Sequence, residues 1–181
     1  MTRPLILVSN DDGYSSMGIN ALLKALAPLG EVVAVAPAND QSAISHAISL
    51  NRPLRLNQQP SLMVDNQEVK IYSVDGTPTD SVYMGVHYVL KGRRPDLVVS
   101  GINHGANLGY DVLYSGTVSA AMEGAMLGIT SVAVSLVSLH NYNFDVAATF
   151  TREFCSGILK KSWPKATLFN VNVPKRAQDL N

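Results

Sequence analysis

Two adjacent carboxylates, Asp11 and Asp12, stand between the apolar run Pro4 to Ser9 and Gly13. A second polar cluster, Asp40-Gln41-Ser42, follows the apolar run Glu31 to Ala36. A third, Ser100-Gly101-Ile102-Asn103-His104-Gly105-Ala106-Asn107, closes the run Asp96 to Ser100. If these runs are parallel strands, all three clusters lie along one sheet edge, where open α/β sheets bind ligands. Asp11, Asp12, the Ser42 hydroxyl and the Asn103 carboxamide can then meet. Every donor is oxygen, which selects hard divalent cations such as Mg²⁺, Mn²⁺ or Ca²⁺. Two carboxylates balance the charge, and a set this small leaves positions for water and substrate, as a catalytic centre requires. Alone, Asp11-Asp12-Gly13 reads better as a turn; the other two loops at the same edge turn the balance to the metal.

The stretch Tyr114-Ser115-Gly116-Thr117 precedes a helix. Its backbone N–H groups and the helix dipole favour an anion, Ser115 and Thr117 add hydroxyls, and Gly116 lets a ligand approach the backbone. Alone it is an ordinary N-cap; beside an oxygen-ligand metal site it becomes a phosphate cradle. His46 and His104 read as solvated loop histidines, with His104 within reach of a bound phosphate. Glu123 reads as structural. Asp75-Gly76-Thr77 lacks the second aspartate of a haloacid-dehalogenase-type nucleophile motif and is assigned to a turn at the cleft rim.

The elements that must position these residues alternate. Continuous apolar runs at Pro4–Ser9, Glu31–Ala36, Asp96–Ser100, Thr130–Val137 and Thr167–Val173 suit strands covered on both faces. Ile19, Leu22, Leu23 and Leu26 fall on one helical face, stopped by Pro28 and Gly30. Thr77-Pro78-Thr79-Asp80 is a helix start, with Thr77 as N-cap and Val82, Val86, Val89 and Leu90 inward. The helix from Val118 to Gly128 carries Ala121, Gly124, Ala125 and Gly128, which implies close packing on the sheet. Phe144 to Lys161 is helical, with Ala147, Phe150, Phe154 and Ile158 inward. Residues 47–74 form a β-rich excursion with hairpin character (Ile48–Leu56, Leu62–Val64, Val69–Val74), expected as an insertion or arm. The sum is one α/β domain over 1–181, a Rossmann-like three-layer fold with a mostly parallel sheet.

Composition narrows the function classes. Hydrophobic residues make up 46% and charged residues 15% of the 181, enough for a buried core. Lys plus Arg is 14 and Asp plus Glu is 14. That balance gives no electrostatic footprint for nucleic acid. Cys155 is the only cysteine, so no intrachain disulfide forms, and it reads as an inert buried thiol. The sequence shows no signal peptide and no membrane span, so a cytoplasmic location is expected.

The motifs closely resemble those of the SurE (stationary-phase survival protein) family of 5'/3'-nucleotidases. The matching stretches are Ile6 to Gly13, Ala36-Pro37 through Ala43, Asp75 to Asp80, Val99 to Asn107, Ser115 to Ala125 and Asn170-Val171-Asn172-Val173-Pro174, in family order across almost the whole chain. The resemblance implies a Rossmann-like fold and one divalent metal, commonly manganese or magnesium, bound by Asp11, Asp12, Ser42 and Asn103. It implies phosphate contacts from Asn107 and the Ser115-Gly116-Thr117 segment, and hydrolysis of nucleoside 5'- or 3'-monophosphates, with short polyphosphate a further substrate. It also implies a homodimer or tetramer built through a C-terminal arm beyond the Asn-Val-Asn-Val-Pro motif. This chain stops at Asn181, so the arm is expected to be absent, and a non-catalytic metal- and nucleotide-binding fragment is the alternative.

Two other classes fit less well. A response-regulator receiver domain needs a phospho-acceptor aspartate after the third core strand, where this chain has Ser100-Gly101-Ile102-Asn103. A dinucleotide oxidoreductase needs G-x-G-x-x-G in the first β-α loop, which is missing. In the expected mechanism, Asp11 or Asp12 orients or deprotonates a metal-activated water that attacks the phosphorus.

Overall fold

The computed structural model describes residues 3–138 and 143–175. The unbroken apolar runs become strands buried on both faces: β1 (Leu5–Ser9), β2 (Glu31–Pro37), β5 (Leu97–His104) and β6 (Ser131–Val137). β3 (Leu56–Val64) and β4 (Gln67–Val74) form a hairpin, and β7 (Leu168–Pro174) closes the far edge. Together they make one seven-stranded sheet in the order β3-β4-β2-β1-β5-β6-β7. All pairings are parallel except β3 with β4.

Side chains alternate across each strand, so two cores form, one on each face. On one face Ile6, Val8 and Val99 pack against α1 (Met17–Leu26) and α4 (Asp145–Ile158). On the other, Leu5, Leu7 and Val98 pack against α2 (Pro78–Met84) and α3 (Gly116–Met126). Burying these aliphatic side chains stabilises the fold by about 1.5–3 kcal/mol each. Strand order reverses between β1 and β5: the chain runs outward from β1 through β2 and β4, then returns beside β1 to begin β5. The loop after β1 leads to the α1 face and the loop after β5 to the α3 face, which opens a crevice between them.

Residues 47–74 differ from the expected arm. β4 pairs directly with β2, so the hairpin is the edge of the main sheet. β3 runs through Pro60, which sits on an outer strand at a register shift between Gln59 and Leu62. An edge strand tolerates proline because its missing N–H costs no ladder bond. Asp65 and Asn66, both at positive φ (46° and 64°), make the two-residue turn. The expected strand from Ile48 is instead an irregular strap as far as Arg55. Its backbone is captured by side chains: Thr77 Oγ1 donates to Ala47 O at 2.7 Å, Ser49 N to Asp80 Oδ1 at 2.9 Å, and Arg55 N to Asp75 Oδ1 at 2.7 Å. Asp75 therefore secures the strap. Thr77 and Asp80 meanwhile form a capping box at the start of α2, which is N-capped by Thr77.

Three further elements depart from expectation. β5 continues past Ser100 to His104 through a register shift between Ser100 and Asn103. Gly101 makes the shift possible: its φ is 136°, and an added Cβ would lie 2.4 Å from Val134 O. α3 ends before Gly128, whose φ of 78° terminates the helix. Gly124 is inside α3 and packs on the sheet: an added Cβ would lie 2.6 Å from Ser131 Oγ. In α4, Phe150 faces outward at 43% exposure while Ala147, Ala148, Thr151, Cys155 and Ile158 face the core. Burial pushes the Cys155 thiol up to about 12, consistent with an unreactive group. No helix among the described residues is long and apolar enough to cross a membrane.

Candidate functional site

The loops beyond β1, β2 and β5 and the start of α3 meet around a cavity of about 270 Å³. Its wall includes Asp11, Ser42, Asn103, His104, Asn107, Asp111, Tyr114 and Ser115. Five of the eight site residues expected from sequence therefore face one space: Asp11, Ser42, Asn103, Asn107 and Ser115. Asp12, Gly116 and Thr117 stand immediately behind it, each touching one of the lining residues.

Asp11 is 4% exposed and forms no ion pair among the described residues. The Thr117 hydroxyl donates to its Oδ1, and Gln41 N donates to its backbone carbonyl at 2.8 Å, tying the β2 loop to the β1 loop. Burial holds the Asp11 carboxyl up at about 6; the Thr117 hydroxyl pulls it down, the Asp12 charge pushes it up, and the backbone amides of Asp11 and Thr117 pull it down. Thr117 is fully buried and committed to Asp11, so its hydroxyl supports the carboxylate from behind. Gly116 fits flat against Asp11: an added Cβ would lie 2.7 Å from Asp11 Cβ and 3.0 Å from Oδ2. The Ser115 hydroxyl caps α3, accepting from Val118 N at 3.1 Å.

Asp12 pairs with His104, whose Nδ1 lies 3.1 Å from Oδ2. Burial raises the Asp12 carboxyl, opposed by His104, with Asp40 adding a further upward push. Ser42 donates its hydroxyl to Asp40 Oδ1 at 2.6 Å and its backbone N–H to the same oxygen at 2.8 Å. With its proton so directed, the Ser42 oxygen keeps its lone pairs for a cation. Asn103 Nδ2 donates to Gly105 O at 2.9 Å, which fixes the carboxamide and leaves Oδ1 to act as a ligand.

Asn107 is held on both sides by β7. Its backbone N–H donates to Asn172 Oδ1 at 2.8 Å, and its carbonyl accepts from Asn170 Nδ2 at 2.9 Å and Asn172 Nδ2 at 3.1 Å. Its own Nδ2 donates to Ser135 Oγ at 2.9 Å.

Sequence reasoning gave no role to Asp40, to the Asn170/Asn172 pair, or to Asp111 and Tyr114. The i, i+2 asparagines of a strand end were the available signal for the clamp. Neither histidine is a solvated loop residue. His46 Nε2 lies 3.0 Å from Oε2 of the buried Glu123, and His104 sits at the end of a strand. Residues 176–181, where the shortened C-terminus was expected to matter, lie outside the described residues.

The donors suit a hard divalent cation: two carboxylates, a hydroxyl and a carboxamide oxygen, with the buried Asp11 carboxyl forming no ion pair among the described residues. Among the described residues no three acidic, histidine or cysteine side chains form a metal cluster by themselves, so the set depends on Ser42 and Asn103.

Comparison with known proteins agrees with the fold and the motifs. The family model described as survival protein SurE matches residues 6–181. A protein of Myxococcus xanthus named 5'-nucleotidase SurE is 52% identical over 169 residues, covering 93% of this chain and 62% of the relative. Relatives of the same name from Anaeromyxobacter sp. (strain Fw109-5) and Nitrosococcus oceani are 53% and 48% identical, covering 94% and 93% of this chain and 63% and 64% of their own lengths. The chain thus spans a little under two thirds of the curated relatives it matches. A crystal structure of the SurE protein from Aquifex aeolicus superposes with a TM-score of 0.83 at 43% identity, covering 96% of this chain and 67% of that one. The switch-point crevice, its oxygen donors and these matches together show that the chain belongs to the SurE family.

Proposed function

We propose that the chain carries the catalytic site of a divalent-metal-dependent phosphomonoesterase that releases phosphate from nucleoside 5'-monophosphates. The 3' isomers and short polyphosphate, which present the same terminal phosphate, are further substrates. One observation carries the reading: among the described residues, the cavity beside the α3 N-terminus is walled by Asp11 and Asp111 and by no lysine or arginine. A cation held by the carboxylates would offset their repulsion of a phosphate dianion, and carboxylate, hydroxyl and carboxamide oxygens are donors that suit a hard cation. The names of the relatives, 5'-nucleotidase SurE, supply the substrate class.

Asp11, Asp12, Ser42 and Asn103 would hold one Mn²⁺ or Mg²⁺, which supplies charge neutralisation at the phosphoryl oxygens and a water of lowered pKa. Asp11 or Asp12 would orient the attacking water and accept its proton. The Ser115-Gly116 end of α3 and the clamped Asn107 stabilise charge on the phosphoryl oxygens. The water oxygen bonds to phosphorus, the ester P–O bond breaks, and the proton passes to the departing sugar hydroxyl.

Phosphate release from a panel of nucleoside 5'- and 3'-monophosphates, pyrophosphate and tripolyphosphate, with Mn²⁺, Mg²⁺ or EDTA, tests the proposal. Release confined to the metal-containing reactions supports it. Folded protein that releases no phosphate with any metal overturns it.

A further inference from the structure

We propose that His46 is a positioning residue: its hydrogen bond to Glu123 fastens the loop that carries Ser42 to α3, the helix that also orients Asp11. The inference rests on the metal reading above. Ser42 and Asp11 stand on different loops, and a cation needs both aimed at one point. Asp11 is set from α3 by the Thr117 hydroxyl. Ser42 is exposed, and its bonds run to Asp40 within its own loop, so they move with the loop. Its aim therefore depends on how the loop as a whole is fixed.

Residues 38–47 are tied down on both sides of Ser42. Before it, Ala38 N donates to Val74 O at 2.7 Å and Gln41 N to Asp11 O at 2.8 Å. After it, Ser45 N donates to Tyr114 O at 2.9 Å, and Ala47 O accepts from Thr77 Oγ1 at 2.7 Å. Between those last two stands His46, whose Nε2 lies 3.0 Å from Glu123 Oε2. Among the described residues it is the one side chain of the loop that hydrogen-bonds to α3. The return from Ser42 needs such a tether. Ala43 and Ser45 both have φ 57°, a left-handed conformation that non-glycine residues keep only where their surroundings impose it. Glu123 is a fitting anchor: it shares its helix with Thr117 and is 7% exposed. A carboxylate so buried costs stability unless it is hydrogen-bonded, so anchor and tether hold each other. With the carboxylate as acceptor, the imidazole donates from Nε2, and a neutral ring suffices.

The test is Mn²⁺ titration of metal-free protein by calorimetry at neutral pH, with thermal unfolding as a check on the fold. His46→Ala should weaken Mn²⁺ binding about tenfold, the low end of what losing an outer partner of a metal site costs. His46→Gln, whose amide nitrogen falls near the Nε2 position, should recover most of that loss. His46→Asn is one carbon shorter and should behave as His46→Ala; if the alanine variant fails to fold, the glutamine and asparagine variants decide the matter. A role exerted through Ser42 has a further signature, which a merely structural role lacks. In a Ser42→Ala background, His46→Ala should weaken Mn²⁺ binding by less than about twofold, because the ligand it positions is already gone. Wild-type affinity in the alanine variant overturns the inference. So does a glutamine variant as weak as asparagine, or the full loss repeated in the Ser42→Ala background. Wild-type protein that binds no Mn²⁺ overturns the metal reading and this inference together; Mn²⁺ binding indifferent to His46 overturns this inference alone.

Discussion

The Thr117 hydroxyl donates a hydrogen bond to Asp11 from 106 residues further along the chain. That bond joins the first turn of α3 to the loop beyond β1 and sets where the buried carboxylate points. Thr117→Val removes the donor while keeping the shape. It should destabilise the protein by about 1.5–3 kcal/mol, the range for bonds to charged groups. It should also raise the Asp11 pKa further and lower phosphate release, while Thr117→Ser keeps most of both. Urea denaturation and phosphate assays on the three proteins check this.

Gly116→Ala tests the flat contact on the other side of the same carboxylate. The new Cβ would lie 2.7 Å from Asp11 Cβ and 3.1 Å from Pro78 Cγ. Helix propensity slightly favours alanine, but Asp11 must shift. Mn²⁺ affinity should fall by about tenfold or more, as when a ligand loses its orientation, with the circular dichroism spectrum unchanged.

Asn172→Ala removes the β7 clamp on Asn107. The substitution strips a donor and an acceptor from the Asn107 backbone. A loss of about 1–3 kcal/mol is expected for leaving the Asn107 N–H unpaired, while its carbonyl keeps the bond from Asn170. Phosphate release should drop through a higher KM, because Asn107 borders the cavity. Steady-state kinetics beside thermal unfolding would separate the two effects.

The contribution of Asp11 to the stability of the metal-free protein should fall as pH rises from about 4 to about 6. The Asp11 pKa in the folded state is about 6 against an ordinary 3.8, with burial the main cause. The folded state therefore binds this proton more tightly than the unfolded chain. The contribution is fully present below 3.8, is lost as pH climbs to about 6, and is constant above. The gap corresponds to roughly 3 kcal/mol. Asp12 shifts in the same direction. Subtracting the profile of Asp11→Asn from that of wild type isolates the effect in urea denaturation. Mn²⁺ affinity should weaken as pH falls through about 6, because protons then compete for the same carboxylate.

Much of this was legible in the sequence. The buried strands showed because both faces are covered, and the α2 start showed because Thr77, Pro78 and Asp80 each have a local reason to be there. The polar clusters were placed at one edge by parallel topology alone. What stayed hidden depended on partners far along the chain. Residues 48–55 have strand-like composition, yet Thr77, Asp75 and Asp80 occupy their backbone groups. Gly101 to His104 looked like loop because glycine and asparagine dominate it, while β6 draws it into the sheet. Phe150 fitted an inward spacing but stacks outward on Phe154 at 5.8 Å between centroids. The partners of His46 and His104, at Glu123 and Asp12, leave no trace in spacing.

The central claim is that Asp11 holds a cation that enables phosphate release. Its most direct test is phosphate release from adenosine 5'-monophosphate by wild type and Asp11→Asn, each with Mn²⁺ and with EDTA. Wild type should release phosphate with Mn²⁺ only, and Asp11→Asn should lose about 100-fold or more while remaining folded, since the site's main charged ligand is gone. Release that survives EDTA, or that Asp11→Asn sustains at the wild-type rate, would contradict the account.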